Sequence, residues 1–148
     1  MPQVGKYWIE TELYHAPFDR AHTWAKLEPE NLVRVGFDDF AQRQAGELLC
    51  VRLLPAGEEV KQGELFGTVE TSKWVGQLLS PVSGKIAQVN EELLERPKLV
   101  NEDPYEEGWM VIIDPTNLEK DLTQLVTGKQ AIDWLKKDIR EITKEAVT

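Results

Sequence analysis

Between residues 47 and 115 the chain alternates short apolar runs with turns marked by glycine and proline. This grammar constrains the fold more than any other feature. Residues 47–54 (ELLCVRLL) end at Pro55-Ala56-Gly57, and residues 65–71 (LFGTVET) follow Lys61-Gln62-Gly63. Residues 74–79 (WVGQLL) end at Ser80-Pro81-Val82-Ser83-Gly84, residues 85–89 (KIAQV) at Asn90, and residues 109–113 (WMVII) at Asp114-Pro115. Short strands this closely spaced build a sandwich or a flattened barrel. There is also an internal echo. Val60-Lys61-Gln62-Gly63 leads into one strand and Val82-Ser83-Gly84 into another, on either side of Lys73.

The flanks differ. Residues 32–37 (LVRVGF) read as a further strand. Asp38 then opens, and Gly46 stops, a short predicted helix. The stretch up to about residue 25 holds Tyr7, Trp8, Tyr14, Phe18, Trp24 and both histidines without a clear period. It is expected to give a strand or two plus a loop over one edge of the core. Near the C-terminus, Thr116-Asn117-Leu118-Glu119 has the form of a capping box, opening a helical run to about Gly128. A second box, Thr127-Gly128-Lys129-Gln130, follows. Ile132, Leu135, Ile139 and Ile142 then recur at helical spacing, with Lys136, Lys137, Arg140 and Lys144 outside. This predicts an amphipathic helix of about four turns, packed on the β structure or on a partner.

Composition narrows the function. Seventeen Lys and Arg stand against 26 Asp and Glu, a formal net charge of −9. Nucleic acid and anionic membrane surfaces are poor partners for such a chain, and basic or neutral proteins are better ones. One cysteine, Cys50, excludes an internal disulfide framework and a thiolate-rich zinc site. Cys50 lies in an alternating strand and is expected to be a small buried hydrophobe. The first residues lack a basic segment followed by an apolar run, and no stretch approaches the ~18 apolar residues of a membrane helix. A soluble protein of the reducing cytoplasm is the expectation.

Lys73 is the residue best placed for chemistry. It sits in Glu70-Thr71-Ser72-Lys73-Trp74, between two strand-like runs with almost nothing between them. A tight hairpin there lifts its ammonium to an exposed tip, where another enzyme could acylate it. Taken by spacing alone, a solvated turn lysine is the preferred reading.

Beyond this point a family resemblance decides. Gly67-Thr68-Val69-Glu70-Thr71-Ser72-Lys73, Ser80-Pro81-Val82-Ser83-Gly84-Lys85-Ile86 and Val89-Asn90-Glu91 resemble a lipoyl domain of the glycine cleavage H-protein type. Residues 97–105 (PKLVNEDPY), Gly108-Trp109-Met110, Val35-Gly36, Phe40-Ala41-Gln42 and Leu54-Pro55-Ala56-Gly57 extend the match, in order, over roughly residues 22–125. The resemblance implies a mainly β lipoyl domain: two small antiparallel sheets in a flattened barrel or sandwich, a lysine at a hairpin tip and helices at the C-terminus. It implies a division into an N-terminal extension (1–21), the lipoyl domain (22–115) and a helical segment packed on it (116–148). It also implies a carrier and not an enzyme, with lipoate in amide linkage to Lys73 and Glu70 as the family's preceding glutamate. A lipoate ligase or lipoyl transferase would attach the arm, and partner enzymes would load and unload it. Biotinyl domains flank their lysine with methionines, whereas Ser72 and Trp74 stand here.

Two departures bear on the cargo. The family's His-Glu-Trp reads His22-Thr23-Trp24, and its Asp four residues after the lysine reads Gln77. Both missing acids are associated in the family with a parked aminomethyl cation, which needs a carboxylate in a shielded groove. A neutral or anionic sulfur cargo has no such need. The resemblance to H-like lipoate-binding proteins of a heterodisulfide-reductase-like sulfur oxidation system is therefore preferred over glycine cleavage, and an unmodified H-like scaffold with a regulatory or binding role stands third. Trp74 could offer the arm an apolar face. His22 fits the family's histidine and is expected to be structural. His15 matches nothing, and the two histidines have no carboxylate at a fixed spacing, so no metal site is predicted. Glu102-Asp103 and Glu106-Glu107 lack the ligand spacing of a calcium loop.

Overall fold

The computed structural model describes residues 1–144. Eleven strands and five α-helices are present among them: β1 (Gln3–Val4), β2 (Tyr7–Trp8), β3 (Tyr14–His15), β4 (Thr23–Glu28), β5 (Leu32–Phe37), α1 (Asp39–Ala45), β6 (Cys50–Leu53), β7 (Glu59–Val60), β8 (Leu65–Glu70), β9 (Val75–Leu79), β10 (Gly84–Val89), α2 (Glu92–Glu95), α3 (Leu99–Glu102), β11 (Val111–Pro115), α4 (Leu118–Leu122) and α5 (Gly128–Thr143). Every strand pairing is antiparallel. A six-stranded sheet has the order β3-β4-β5-β11-β10-β7, a three-stranded sheet the order β6-β8-β9, and β1-β2 form a small ribbon.

The two larger sheets close on one apolar core. Val33, Val35, Ile86, Val111 and Ile113 come from the larger sheet, and Val51, Phe66, Val69 and Leu78 from the smaller. Close approach between β6 and β8 requires Gly67, because a Cβ there would lie 2.4 Å from the Arg52 carbonyl oxygen. The two echoed segments meet in space: Val60 of β7 pairs with Gly84 of β10.

The expected strands at 32–37, 65–71, 74–79 and 85–89 fall where β5, β8, β9 and β10 lie. The strand expected at 47–54 begins only at Cys50, which is half-buried and not buried. Its side of β6 faces away from the core, since its neighbour Val51 takes the inner position.

Residues 1–21 supply more than a cover. Tyr14–His15 adds β3 to the edge of the larger sheet. Val4, Tyr7 and Ile9 form a second apolar cluster with Phe40, Ala131, Leu135 and Ile139. That cluster seats α5 through the stripe read from the sequence.

Neither expected capping box forms. Asn117, not Thr116, stands at the start of α4, and its side chain makes no cap bond. The helix stops at Leu122, well short of Gly128. Thr127 is at the start of α5, but its hydroxyl donates to the Thr11 and Leu13 carbonyls at 3.1 and 2.8 Å. The hydroxyl is turned toward carbonyls of the packed N-terminal segment and makes no cap bond with the helix's own amides. Asp38 does cap α1, its carboxylate accepting from the Ala41 amide at 2.7 Å. Residues 145–148 of the expected helical segment lie outside the described residues. Among the described residues no helix is long and apolar enough to cross a membrane.

Candidate functional site

Strands β8 and β9 form a hairpin whose turn consists of residues 71–74. The turn is fastened by Thr71, which is itself buried. The Thr71 amide donates to the Trp74 carbonyl at 2.9 Å, and the Thr71 hydroxyl accepts from the amides of Lys73 and Trp74 at 3.2 and 3.4 Å. One short polar side chain thus fixes the backbone under Lys73. Lys73 is exposed, and its ammonium takes part in none of the ion pairs among the described residues. A free amine on a rigid tip fits acylation by an enzyme that must reach around it.

Trp74 is folded back along β9 and lies over Gly76. A Cβ on Gly76 would meet the indole at 1.8 Å, so only glycine admits this arrangement. Glu70 pairs with Val75 and Cys50, and Gln77 pairs with Thr68, all on the face of the small sheet turned away from the core. Glu70 and Gln77 are both exposed there.

Thr23 is elsewhere. It is fully buried, and its hydroxyl donates to the Leu79 carbonyl at 2.8 Å, tying β4 of the larger sheet to β9 of the smaller. At the position where the resemblance leads us to expect an acid, the chain thus has a group engaged within the frame.

His22 and His15 lie between the sheet and α5. His22 Nδ1 is 2.7 Å from Asp38 and its Nε2 is 2.8 Å from Asp138 of α5. The ring sits between Phe40 and Trp134, at centroid distances of 5.0 and 4.7 Å. Burial works against a charge on His22. The Asp38 carboxylate, with hydrogen bonds to Asp138 and Asp38, outweighs it and holds the imidazolium up to a pKa of about 9. Burial instead holds His15 below the ordinary histidine value, against its bond from Nε2 to the Glu10 carbonyl at 2.8 Å. Burial also raises the Tyr105 phenol, helped by Asp38. The sequence offers no local signal for the Asp38–His22–Asp138 bridge, whose ends are far apart in the chain.

The acidic run is engaged locally. Glu102 pairs with Arg96, and Asp103 accepts from the Glu107 amide. Among the described residues no group of three or more His, Cys, Asp or Glu is placed to hold a metal ion.

Comparison with known proteins decides the family. Residues 16–138 match the family model for the glycine cleavage H-protein. This chain belongs to the glycine cleavage H-protein family. It is 39% identical over 136 residues to a probable glycine cleavage system H protein of Pyrococcus abyssi, covering 92% of this chain and 98% of that one. It is 47% identical over 109 residues to a glycine cleavage system H protein of Anaeromyxobacter sp., covering 74% and 84%. The crystal structure of a glycine cleavage system H protein from Mycobacterium marinum superposes with a TM-score of 0.75 at 30% identity, covering 88% of this chain and 98% of that one. Members of this family are non-catalytic, lipoate-carrying components, with the cofactor linked covalently to a lysine. The expectation of a sulfur cargo gains no support from these relatives, all of which are named for glycine cleavage.

Proposed function

We propose that this chain is the lipoyl carrier of a glycine cleavage system and that Lys73 is the attachment point. The observation that carries the reading is an exposed, unpaired lysine on a turn held rigid by the buried Thr71 hydroxyl. The lysine falls where the family's motif has its modified residue. A reducing cytoplasmic setting belongs to the same reading, as does recognition of the hairpin by a lipoate ligase or lipoyl transferase.

When bound, lipoate would supply a disulfide/dithiol couple, one sulfur of which can hold the aminomethyl cargo once the S–S bond has opened. The chain's own residues do the rest. Thr71 keeps the tip from fraying, so the tether starts from a fixed point. Thr23 holds β9 against the larger sheet, which fixes the hairpin's angle to the body. Tethering raises the local concentration of the arm at each partner's site. Gln77 presents no charge to the cargo, which leaves cation recognition to the partner enzymes.

Intact mass followed by peptide mapping of the protein from its own source tests the attachment. The expected result is a lipoyl adduct on Lys73 and nowhere else. Lys73→Arg is expected to abolish both the adduct and support of glycine decarboxylation, while leaving the melting temperature unchanged. A lipoylated protein that exchanges sulfur species but gives no turnover with glycine cleavage partners would revive the sulfur-carrier reading based on Thr23 and Gln77.

A further inference from the structure

Trp8 is presented to solvent by bonds that do not involve its side chain. Its amide donates to Asp39 Oδ2 at 2.8 Å, and its carbonyl accepts from the Tyr105 hydroxyl at 2.9 Å. That hydroxyl in turn accepts from the Asp39 amide at 3.1 Å. The backbone of β2 is thereby pinned between the start of α1 and residue 105, while Trp8 stays 40% exposed. The ribbon's packing is done by Val4, Tyr7 and Ile9, so the fold does not account for the indole. Trp8 lines a groove of about 720 Å³ together with Met1, Pro104, Tyr105, Asp103 and Glu106. Tyr105 and Glu106 also line a second hollow of about 460 Å³, which Glu10, Glu12 and Tyr14 share, so the two adjoin. The bases along both are taken: Arg43 pairs with Asp39 at 3.1 Å and Lys26 with Glu28 at 3.9 Å. Glu10, Glu12, Asp103 and Glu106 take part in none of the ion pairs among the described residues. Met1, Trp8, Glu10, Glu12 and Tyr14 all precede residue 16, where the family match begins.

We propose that this groove docks a basic segment of a partner enzyme, with an arginine stacked on Trp8 and paired with Asp103 and Glu106. The occupant's identity as a partner enzyme rests on the carrier reading. Four unpaired carboxylates around an apolar floor call for a cationic occupant. The indole narrows the choice to arginine, whose planar, weakly hydrated guanidinium stacks on an aromatic face and still bonds carboxylates. Lysine would keep the charge and lose most of the stacking. A fixed aromatic anchor facing arginine is a common make-up of the residues that dominate an interface. The groove is also within reach of the hairpin. Asn101, on its lining, accepts from the Leu48 amide at 2.9 Å, and the next amide, Leu49, donates to the Glu70 carbonyl at the hairpin's foot at 2.8 Å. An enzyme that engages the hairpin can therefore hold the groove in the same encounter, and the second contact is then intramolecular. A stable interface covers roughly 800 Å² per partner. The groove supplies one part of that, and its work is to set which enzyme docks and in what orientation.

The test uses the full chain labelled with 5-fluorotryptophan and the peptide acetyl-Ala-Arg-Leu-Arg-Ala-amide. Two further peptides replace arginine by lysine or by citrulline, which keeps the shape and removes the charge. Trp8→Phe assigns the Trp8 fluorine signal among the five tryptophans. The arginine peptide is expected to move that signal saturably and the citrulline peptide to leave it in place. The lysine peptide should bind roughly two- to fivefold more weakly, the span of an exposed cation–π contact. Asp103→Asn with Glu106→Gln should weaken the arginine peptide roughly two- to thirtyfold, the span of two exposed ion pairs. Unmoved signals from the other four tryptophans verify the fold of that variant. In lipoylated protein, the same double variant and Trp8→Ala should each raise the carrier's KM with glycine cleavage partner enzymes several-fold. A Trp8 signal indifferent to the arginine peptide, or moved equally by citrulline, overturns the proposal. So does a Trp8 signal that moves with protein concentration alone while light scattering shows a doubled mass, because the occupant is then a second copy. An unchanged KM in both variants overturns the docking role. No turnover of any lipoylated form with those enzymes strikes the carrier reading, while the peptide titration still decides the groove.

Discussion

At the scale of single residues, Thr23 shows how a substitution at a site position can serve the frame. The buried threonine hydroxyl meets the carbonyl of half-buried Leu79. Thr23→Val keeps the shape and removes the donor, leaving that carbonyl without this bond. The expected loss is about 0.5–1.5 kcal/mol, the net worth of one such hydrogen bond. Urea unfolding should show a lower midpoint at an unchanged slope. An unchanged midpoint would mean that the bond between the two sheets contributes nothing net. Cys50 makes a related point. Its alternating neighbours made it look buried, but a strand with one wet face offers two environments, and Cys50 takes the outer one beside Glu70. Which face is which depends on the partner sheet, and a single strand's sequence does not specify it.

At the scale of elements, α5 was the most legible part of the chain and its docking the least. Leu135 and Ile139 are buried, as their spacing predicted. The polar half of the docking is the Asp138–His22–Asp38 bridge, which joins residues 116 and 16 positions apart, and no local pattern marks it. The second capping box misled because the Thr127 hydroxyl is engaged by carbonyls of the N-terminal segment, which no helix rule includes. β4 was only partly visible because Lys26, Leu27 and Glu28 break its alternation where it leaves the core. The four-residue helices α2 and α3 are too short to show a period. The bridge carries its own prediction. An imidazole raised from 6.5 to about 9 on folding contributes stability that is whole below pH 6.5 and is lost as pH rises through 9. Integrated over that window, the loss is on the order of 3 kcal/mol. Denaturant midpoints measured from pH 6.5 to 10 should fall more steeply in the native chain than in His22→Gln, with Trp134 fluorescence reporting α5. Parallel pH profiles for the two proteins would show that His22 is neutral in the fold.

At the scale of the whole molecule, charge governs how the carrier meets its partners. Glycine cleavage H proteins work with several partner enzymes in turn, so the carrier must bind each quickly and leave quickly. A net charge of −9 favours long-range attraction to basic surfaces over tight, slow contacts. On the proposed attachment at Lys73, acylation would remove one positive charge, so the lipoylated form should be steered slightly more strongly than the bare one. Raising ionic strength from 50 to 300 mM shortens the screening length from about 14 to about 6 Å. The KM for the lipoylated carrier in glycine decarboxylation should therefore rise, by roughly tenfold at most. The kcat at saturating carrier should stay constant, because screening acts on the encounter and not on the docked chemistry. Substituting surface acids away from the hairpin, such as Glu119→Gln with Glu141→Gln, should flatten the salt dependence without touching kcat. A KM indifferent to salt would mean that recognition rests on the hairpin's short-range contacts, and that the acidic surface serves solubility alone.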